Sequence, residues 1–188
     1  MGRYNGDFIK HMEQFQNWKD VEFGSGFLSE FLRVGMEERA AELPSMTLEY
    51  DRVEFKPQGT VYGSFKTDEV SIDGTYVFLL YKGGENVARL SFDAISGGVH
   101  IVQIQSVKGA GEALAPIKWE RALIAYVCKW ASEWGLEKVE IVSAKNNVWV
   151  QDDHIPYERA HMIYDVSAKR SGFRENADGN WVKFLEAA

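Results

Sequence analysis

Apolar residues recur at helical spacing through the first 45 positions. Phe8, Met12, Phe15 and Trp18 fall at i, i+4, i+7 and i+10 and line one face of a helix. Gly24-Ser25-Gly26 interrupts that stripe. Phe27, Phe31, Val34, Ala41 and Leu43 then form a second one among Glu and Arg residues. Pro44 ends it, because the residue before a proline avoids the helical region. Residues 1–45 therefore predict a helical pair packed on the main domain as a cover. A substrate-side lid or a homodimer face is the alternative use.

From residue 46 the period shortens. Residues 48–55 alternate partly, as a half-buried strand does, and Pro57-Gln58-Gly59 reads as a turn before a strand at 61–65. Asp73-Gly74 signals a two-residue hairpin between 70–72 and 75–81. Gly83-Gly84 turns the chain into 86–93, and Gly97-Gly98 turns it again into 99–107. The pattern is an antiparallel meander of three to five strands.

After the meander the order becomes helix, strand, helix, strand. Trp119, Leu123, Tyr126, Trp130 and Trp134 share one face of a helix at 116–134, and Gly135 caps it. Residues 136–142 read as a strand lying beside 99–107. A loop containing Trp149 spans 148–155. A helix at 156–171 starts on Pro156 and stops at Gly172. A final hairpin turns at Asp178-Gly179. The fold class is α/β (α+β): a central, mostly antiparallel mixed sheet flanked by helices. It is one domain overall, with 1–45 as the helical pair and 46–188 as the main unit.

Composition narrows the function classes. The 188 residues are 45% hydrophobic and 26% charged, ordinary for a globular chain with a full core. Aromatics reach 13% with six Trp, which suits a well-packed core or an aromatic-lined cleft. A net charge of −7 repels phosphate backbones and disfavours a nucleic-acid partner. No apolar run approaches the roughly 20 residues that span a bilayer. MGRYNGDFIK lacks a signal-peptide core, and Gly6 stands where a myristoylation motif wants Ser or Thr. A cytoplasmic protein with no membrane partner is the expectation.

The chemistry-bearing residues are few. Cys128 sits among Tyr126, Val127 and Trp130 in the long helix and reads as a core cysteine. His154, Glu158 and His161 have spacings of four and three, but Pro156 makes His154 pre-helical and no fourth ligand follows, so no metal is assigned. Lys108-Gly109-Ala110-Gly111 follows a strand and precedes a helix. Such a loop can offer backbone N–H groups to a phosphate, although it is neither a Walker loop nor a dinucleotide fingerprint. Asp93, His100 and Glu140 are candidate bases, with a half-exposed sheet residue as the plain reading of His100.

The segments QSVKGAG (105–111), WERALIAYVCKWASEWG (119–135), VEIVSAKNN (139–147) and YDVSAKRSGF (164–173) together resemble the GNAT superfamily of acyl-CoA N-acyltransferases. The resemblance covers residues 75–185. A similar loop and YD-AKR-GF ending occur in bacterial proteins of that kind. The resemblance implies that strand 99–107 splays from strand 139–142 and that the pantetheine arm of acetyl-CoA, or another acyl-CoA, lies in the gap. It implies backbone contacts from Ile104, Gln105 and Val107, a phosphate cradle from Lys108, Gly109, Ala110 and Gly111, and an arm contact from Asn146. It makes Tyr164 the acid that protonates the leaving thiolate, with His100 or Asp93 as base. The chain departs from the family pattern: Gln105 stands one residue too far from Gly109, and the two N-terminal helices precede the meander where the family usually has a strand first. Residues 112–115 intervene before Pro116, and Ala168 stands where the family usually has its Tyr.

The function implied is transfer of an acyl group, expected to be acetyl, by direct attack in a ternary complex. The acceptor is an amine of a small molecule or protein. The alternative is a GNAT-like module that binds without catalysis. An acyltransferase acting on charged tRNA is a third class, which the acidic balance weakens.

Overall fold

The structure is a computed structural model and describes residues 21–22, 31, 46–52 and 72–186. An eight-stranded sheet organises them. Its strands are β1 (Val21–Glu22), β2 (Met46–Arg52), β3 (Tyr76–Lys82), β4 (Glu85–Ile95), β5 (Gly98–Ser106), β6 (Lys138–Ile141), β7 (Arg174–Glu175) and β8 (Trp181–Phe184). They lie in the order β1-β2-β3-β4-β5-β6-β8-β7, and only the β5–β6 pair is parallel. The mixed, mostly antiparallel sheet of the sequence reading is present. The expected helical pair lies outside the described residues, except that Val21–Glu22 is a strand paired with Leu48 and Thr47. The strand expected at 61–65 and the turn at 57–59 also lie outside them.

Side-chain alternation makes the sheet two-faced. Tyr76, Phe78 and Leu80 of β3, Leu90 and Phe92 of β4, and Val99, Ile101 and Ile104 of β5 share one buried cluster with the long helix. That helix follows the short α1 (Gly111–Leu114) and is α2 (Trp119–Glu133). Its apolar face meets the sheet as the spacing predicts. Phe78 packs edge-on against Trp130 and Tyr126, with ring centroids 5.4 and 5.3 Å apart. Such pairs add about 0.5–1.5 kcal/mol each beyond the area they bury. The other face is mixed. Ile72, Val77 and Leu79 form a small apolar cluster beside the buried polar residues Arg89, Ser91 and Gln103.

Two turn assignments are corrected. Asp73-Gly74 makes no hairpin, since β3 has β2 on one edge and β4 on the other. Gly74 is needed for another reason: at φ 112° its absent Cβ would sit 2.8 Å from Val102 Cγ2. The β4–β5 turn is Ser96-Gly97, and Gly98 already belongs to β5, where a Cβ would collide with the Lys138 carbonyl. Gly83-Gly84 turns β3 into β4 as expected, with φ of 61° and 83°.

Beyond β6 the chain makes a 3₁₀ turn (Ala144–Asn146) and a helical turn α3 (Val148–Gln151), part of the expected loop. The last helix is continuous but not uniform. It runs through α4 (Tyr157–His161), a π-helical turn (Met162–Val166) and α5 (Ser167–Arg170). Among the described residues no helix is long and apolar enough to cross a membrane.

Candidate functional site

The site begins where β5 and β6 part. Their parallel ladder runs only from Gly98↔Lys138 to Ile101↔Ile141, closed by Val142 N–H donating to the Ile101 carbonyl at 2.9 Å. Side chains then capture the next β6 amides. Ser143 N–H donates to Asn180 Oδ1 at 3.1 Å and Ala144 N–H to Asp165 Oδ1 at 3.0 Å. On β5, Val102 is an extra residue, because β4 Ser91 pairs with Gln103 while Phe92 pairs with Ile101. Such a bulge bends its strand and increases its local twist. From Gln103 to Ser106, β5 is therefore paired with β4 alone and its other edge opens into a cleft of about 400 Å³. Gln103, Ile104, Gln105 and Ser106 line one side. Trp149, His154, Ile155, Arg159, Ile163 and Tyr164 line the other.

The ladder decides which backbone groups face the cleft. Val107 N–H donates to the Val87 carbonyl at 2.9 Å. Hydrogen-bonding direction alternates along an antiparallel strand, so the backbone of Gln105 also faces β4, while Ile104 and Ser106 face the gap. Of the backbone contacts expected from Ile104, Gln105 and Val107, only Ile104 is turned the right way. Ser106 is its partner two residues on. Gln105 reaches the cleft by its side chain instead.

Tyr164 stands in the gap, 3% exposed. Its hydroxyl oxygen accepts the Ile104 N–H at 3.2 Å, and the Asn147 side chain lies beside it. A phenol oxygen has two lone pairs and one proton. One lone pair is engaged by the Ile104 N–H, and the hydroxyl keeps its proton. Burial, aided by the Asp73 carboxylate, raises the Tyr164 pKa above its usual value of 10.0, against the lowering effect of Ile104 and Asn147. Tyr164 is therefore held protonated at neutral pH. The π-helical turn at 162–166 carries it, and such bulges re-aim side chains.

Its neighbour Asp165 anchors that turn. This 7% exposed carboxylate accepts the Ala144 N–H at 3.0 Å and Trp181 Nε1–H at 2.8 Å on Oδ1, and lies 2.8 Å from His161 Nδ1 through Oδ2. One side chain thus ties the helix to the end of β6 and to β8.

The remaining predicted site residues divide. Asp93, His100 and Glu140 do come together, since Asp93↔His100 and His100↔Glu140 are cross-strand partners. They lie on β4, β5 and β6 where β5 is paired on both edges, and none lines the cleft. Asp93 accepts the Thr75 N–H and hydroxyl at 2.8 Å each, and Glu140 pairs with Lys138 at 2.6 Å. His100 is half-buried, as its plain reading had it. Asn146 donates to Asp178 O and Asn180 Oδ1, both at 2.9 Å, and so faces the β7–β8 turn. Its neighbour Asn147 is the one that meets Tyr164. Cys128 is a core residue, and burial pushes its thiol pKa up to about 11. His154 and His161 part company: His154 packs near Trp149, with ring centroids 5.2 Å apart, while His161 turns to Asp165.

The glycine loop lies at the end of β5. Lys108 and Gly109 are exposed and Gly109 has φ 89°. The loop does not feed the long helix directly, because Gly111 opens the four-residue α1 with Glu112 exposed in its first turn. Lys82, at the end of β3, reaches over to the Ala113 carbonyl at 3.2 Å. Lys82 thus approaches the loop from β3, and Lys108 belongs to the loop itself.

No protein-family model matches the chain, and no curated protein does. Among solved structures, Ard1 from Thermoplasma volcanium superposes with a TM-score of 0.37 and 11% identity, over 58% of this chain and 70% of that one. A protein of unknown function from Aquifex aeolicus gives 0.34 and 10% identity, over 95% of this chain and 78% of that one. Likenesses at this level decide neither fold nor activity.

Proposed function

We propose that this chain is an acyl-CoA-dependent N-acyltransferase of the GNAT kind, with the thioester seated in the gap between β5 and β6. The observation that carries the reading is Tyr164, a buried phenol whose oxygen accepts the Ile104 N–H, lining the gap that a pantetheine arm would enter. In this reading an amine attacks the thioester carbonyl. The tetrahedral intermediate collapses to the amide, the departing thiolate takes the Tyr164 proton, and the second proton shed by the nitrogen restores the phenol through solvent. General-acid help of this kind contributes about 10²–10⁴-fold. Among the lining residues His154 is the base suited to take the proton from the attacking ammonium. Ser106, with its backbone toward the gap, would pair with the arm. Lys82 and Lys108 would neutralise the diphosphate at the loop.

Glu112 favours a second reading. A carboxylate in the first turn of α1 competes for the positive end that a phosphate would use. Under it, the same domain binds a ligand without transferring an acyl group. Binding of acetyl-CoA to the folded chain, weakened by Lys108→Glu, tests the acyl-CoA site, and thioester turnover separates the two readings.

A further inference from the structure

Among the described residues, no carboxylate pairs with the guanidinium buried on the polar face of the sheet. Arg89 of β4 is 6% exposed, and its Nε is buried with no hydrogen-bond partner. A buried guanidinium is costly unless an anion or acceptors offset it. Cross-strand register places Arg89 directly opposite Gln105, whose side chain lines the cleft.

A chain of amides runs toward the same point. Asp73 N–H donates to Gln103 Oε1 at 3.3 Å, which identifies the oxygen end of that amide. Gln103 Nε2 then donates to Gln105 Oε1 at 3.2 Å. The oxygen of Gln105 is therefore occupied, and its Nε2 keeps two donor hydrogens. Ser91, between these strands, directs its hydroxyl to the Asp73 carbonyl. The two amides are oriented alike: their oxygens face the Asp73 side, and donors emerge at Gln105, across from a guanidinium that is all donor. The Arg89 and Gln105 end of this network suits an oxyanion.

We propose that Arg89 and Gln105 form an oxyanion subsite on the wall of the cleft, taking a carboxylate or phosphate group carried by the cleft's ligand. It deepens the acyltransferase reading, and rests on it only in naming that ligand as the amine acceptor. The acceptor would then be a molecule bearing both an amine and an anionic group.

The test needs no acyl-CoA, so it can fail while that reading stands, and the reverse. The full-length chain is melted at constant ionic strength in chloride, with about 20 mM acetate, or with about 20 mM phosphate. Wild type is expected to melt about 2 °C higher with at least one of the two anions. Acetate alone would identify a carboxylate site, and phosphate alone or both would identify a wider one. Arg89→Met is expected to abolish the shift and, in chloride, to melt higher than wild type, because it removes an unpaired buried charge. Gln105→Leu, which leaves that charge in place, is expected to reduce the shift. A lower melting temperature for Arg89→Met would mean that Arg89 has an internal partner and would overturn the proposal. So would no anion shift in wild type, or a shift that survives Arg89→Met.

Discussion

Replacing Asp165 by alanine strips the turn that carries Tyr164 of its anchor. The Ala144 N–H and Trp181 Nε1–H, at 3.0 and 2.8 Å from Oδ1, would lose their acceptor inside the protein. Ala144 is 0% exposed and Trp181 7%, so water does not readily replace the carboxylate. A buried donor left unsatisfied costs about 1–3 kcal/mol, giving about 2–6 kcal/mol for the pair. His161 adds little, because its side chain is 43% exposed and can turn to water. Asn should be much milder. Its oxygen still accepts both donors and its NH₂ can donate to a neutral His161 Nδ1, so only the charge assistance goes, about 1 kcal/mol. With a urea dependence of about 2 kcal/mol/M, a loss of about 4 kcal/mol moves the unfolding midpoint down by about 2 M, and Asn by about 0.5 M. Equilibrium urea unfolding of both variants is the assay. An Asp165→Ala midpoint within about 0.5 M of wild type would refute the anchoring role. Asn as damaging as Ala would show that charge, not acceptor geometry, is what matters.

His100 should make stability pH-dependent. Burial, with Lys138, lowers its pKa below 6.5 against the raising effect of Glu140 and Asp93, so the fold favours the neutral ring. That contribution is complete above the unfolded-state value and is lost as pH falls through the window below it. Urea midpoints at about pH 7.5 and about pH 5.5 should therefore differ, with the acid value lower, and His100→Gln should shrink the difference. Tyr164→Phe keeps the ring but removes the proton donor. Thiol release from acetyl-CoA, assayed with a panel of amino acids and polyamines, should fall about 10²–10⁴-fold. The acceptor lost by Ile104 should cost about 1–3 kcal/mol of stability, and undiminished thiol release would remove Tyr164 from the chemistry.

Much of the sheet is legible in the sequence because its signals are local. The Gly83-Gly84 turn and the alternation of Ala88, Leu90 and Phe92 against Arg89, Ser91 and Asp93 need only neighbouring residues. So does the stripe Trp119-Leu123-Tyr126-Trp130, whose spacing leaves one face for the core. What fails locally is decided by packing at a distance. Asp73-Gly74 looks like a hairpin turn, yet Gly74 is there because Val102 and Phe92 leave no room for a Cβ.

The site is less legible for the same reason. Which backbone groups of β5 face the gap depends on a bulge at Val102 and on pairing with β4, which composition does not reveal. The choice between Asn146 and Asn147 turns on one residue. Asn147 holds the N-cap position of α3, its Oδ1 accepting the Trp149 N–H at 3.0 Å, a preference that could have been read had that turn been recognised as a helix. The π-helical turn that aims Tyr164 has no sequence signature of its own. Asp165, its anchor, lies beside Tyr164 in the YDVSAKRSGF segment.

The most direct measurement is the melting temperature of the full-length chain with and without about 1 mM acetyl-CoA, run beside Lys108→Glu. Lys108 is exposed, so reversing its charge alters the loop without the backbone strain that any side chain at Gly109, with φ 89°, would bring. A ligand at about 100 times its Kd stabilises the folded state by about 2.7 kcal/mol. For a chain of this size that is a rise of about 5–10 °C. The account predicts such a rise for wild type and a clearly smaller one for Lys108→Glu. No rise in a well-folded sample, or the same rise in both, would contradict an acyl-CoA site running from the β5–β6 gap to that loop.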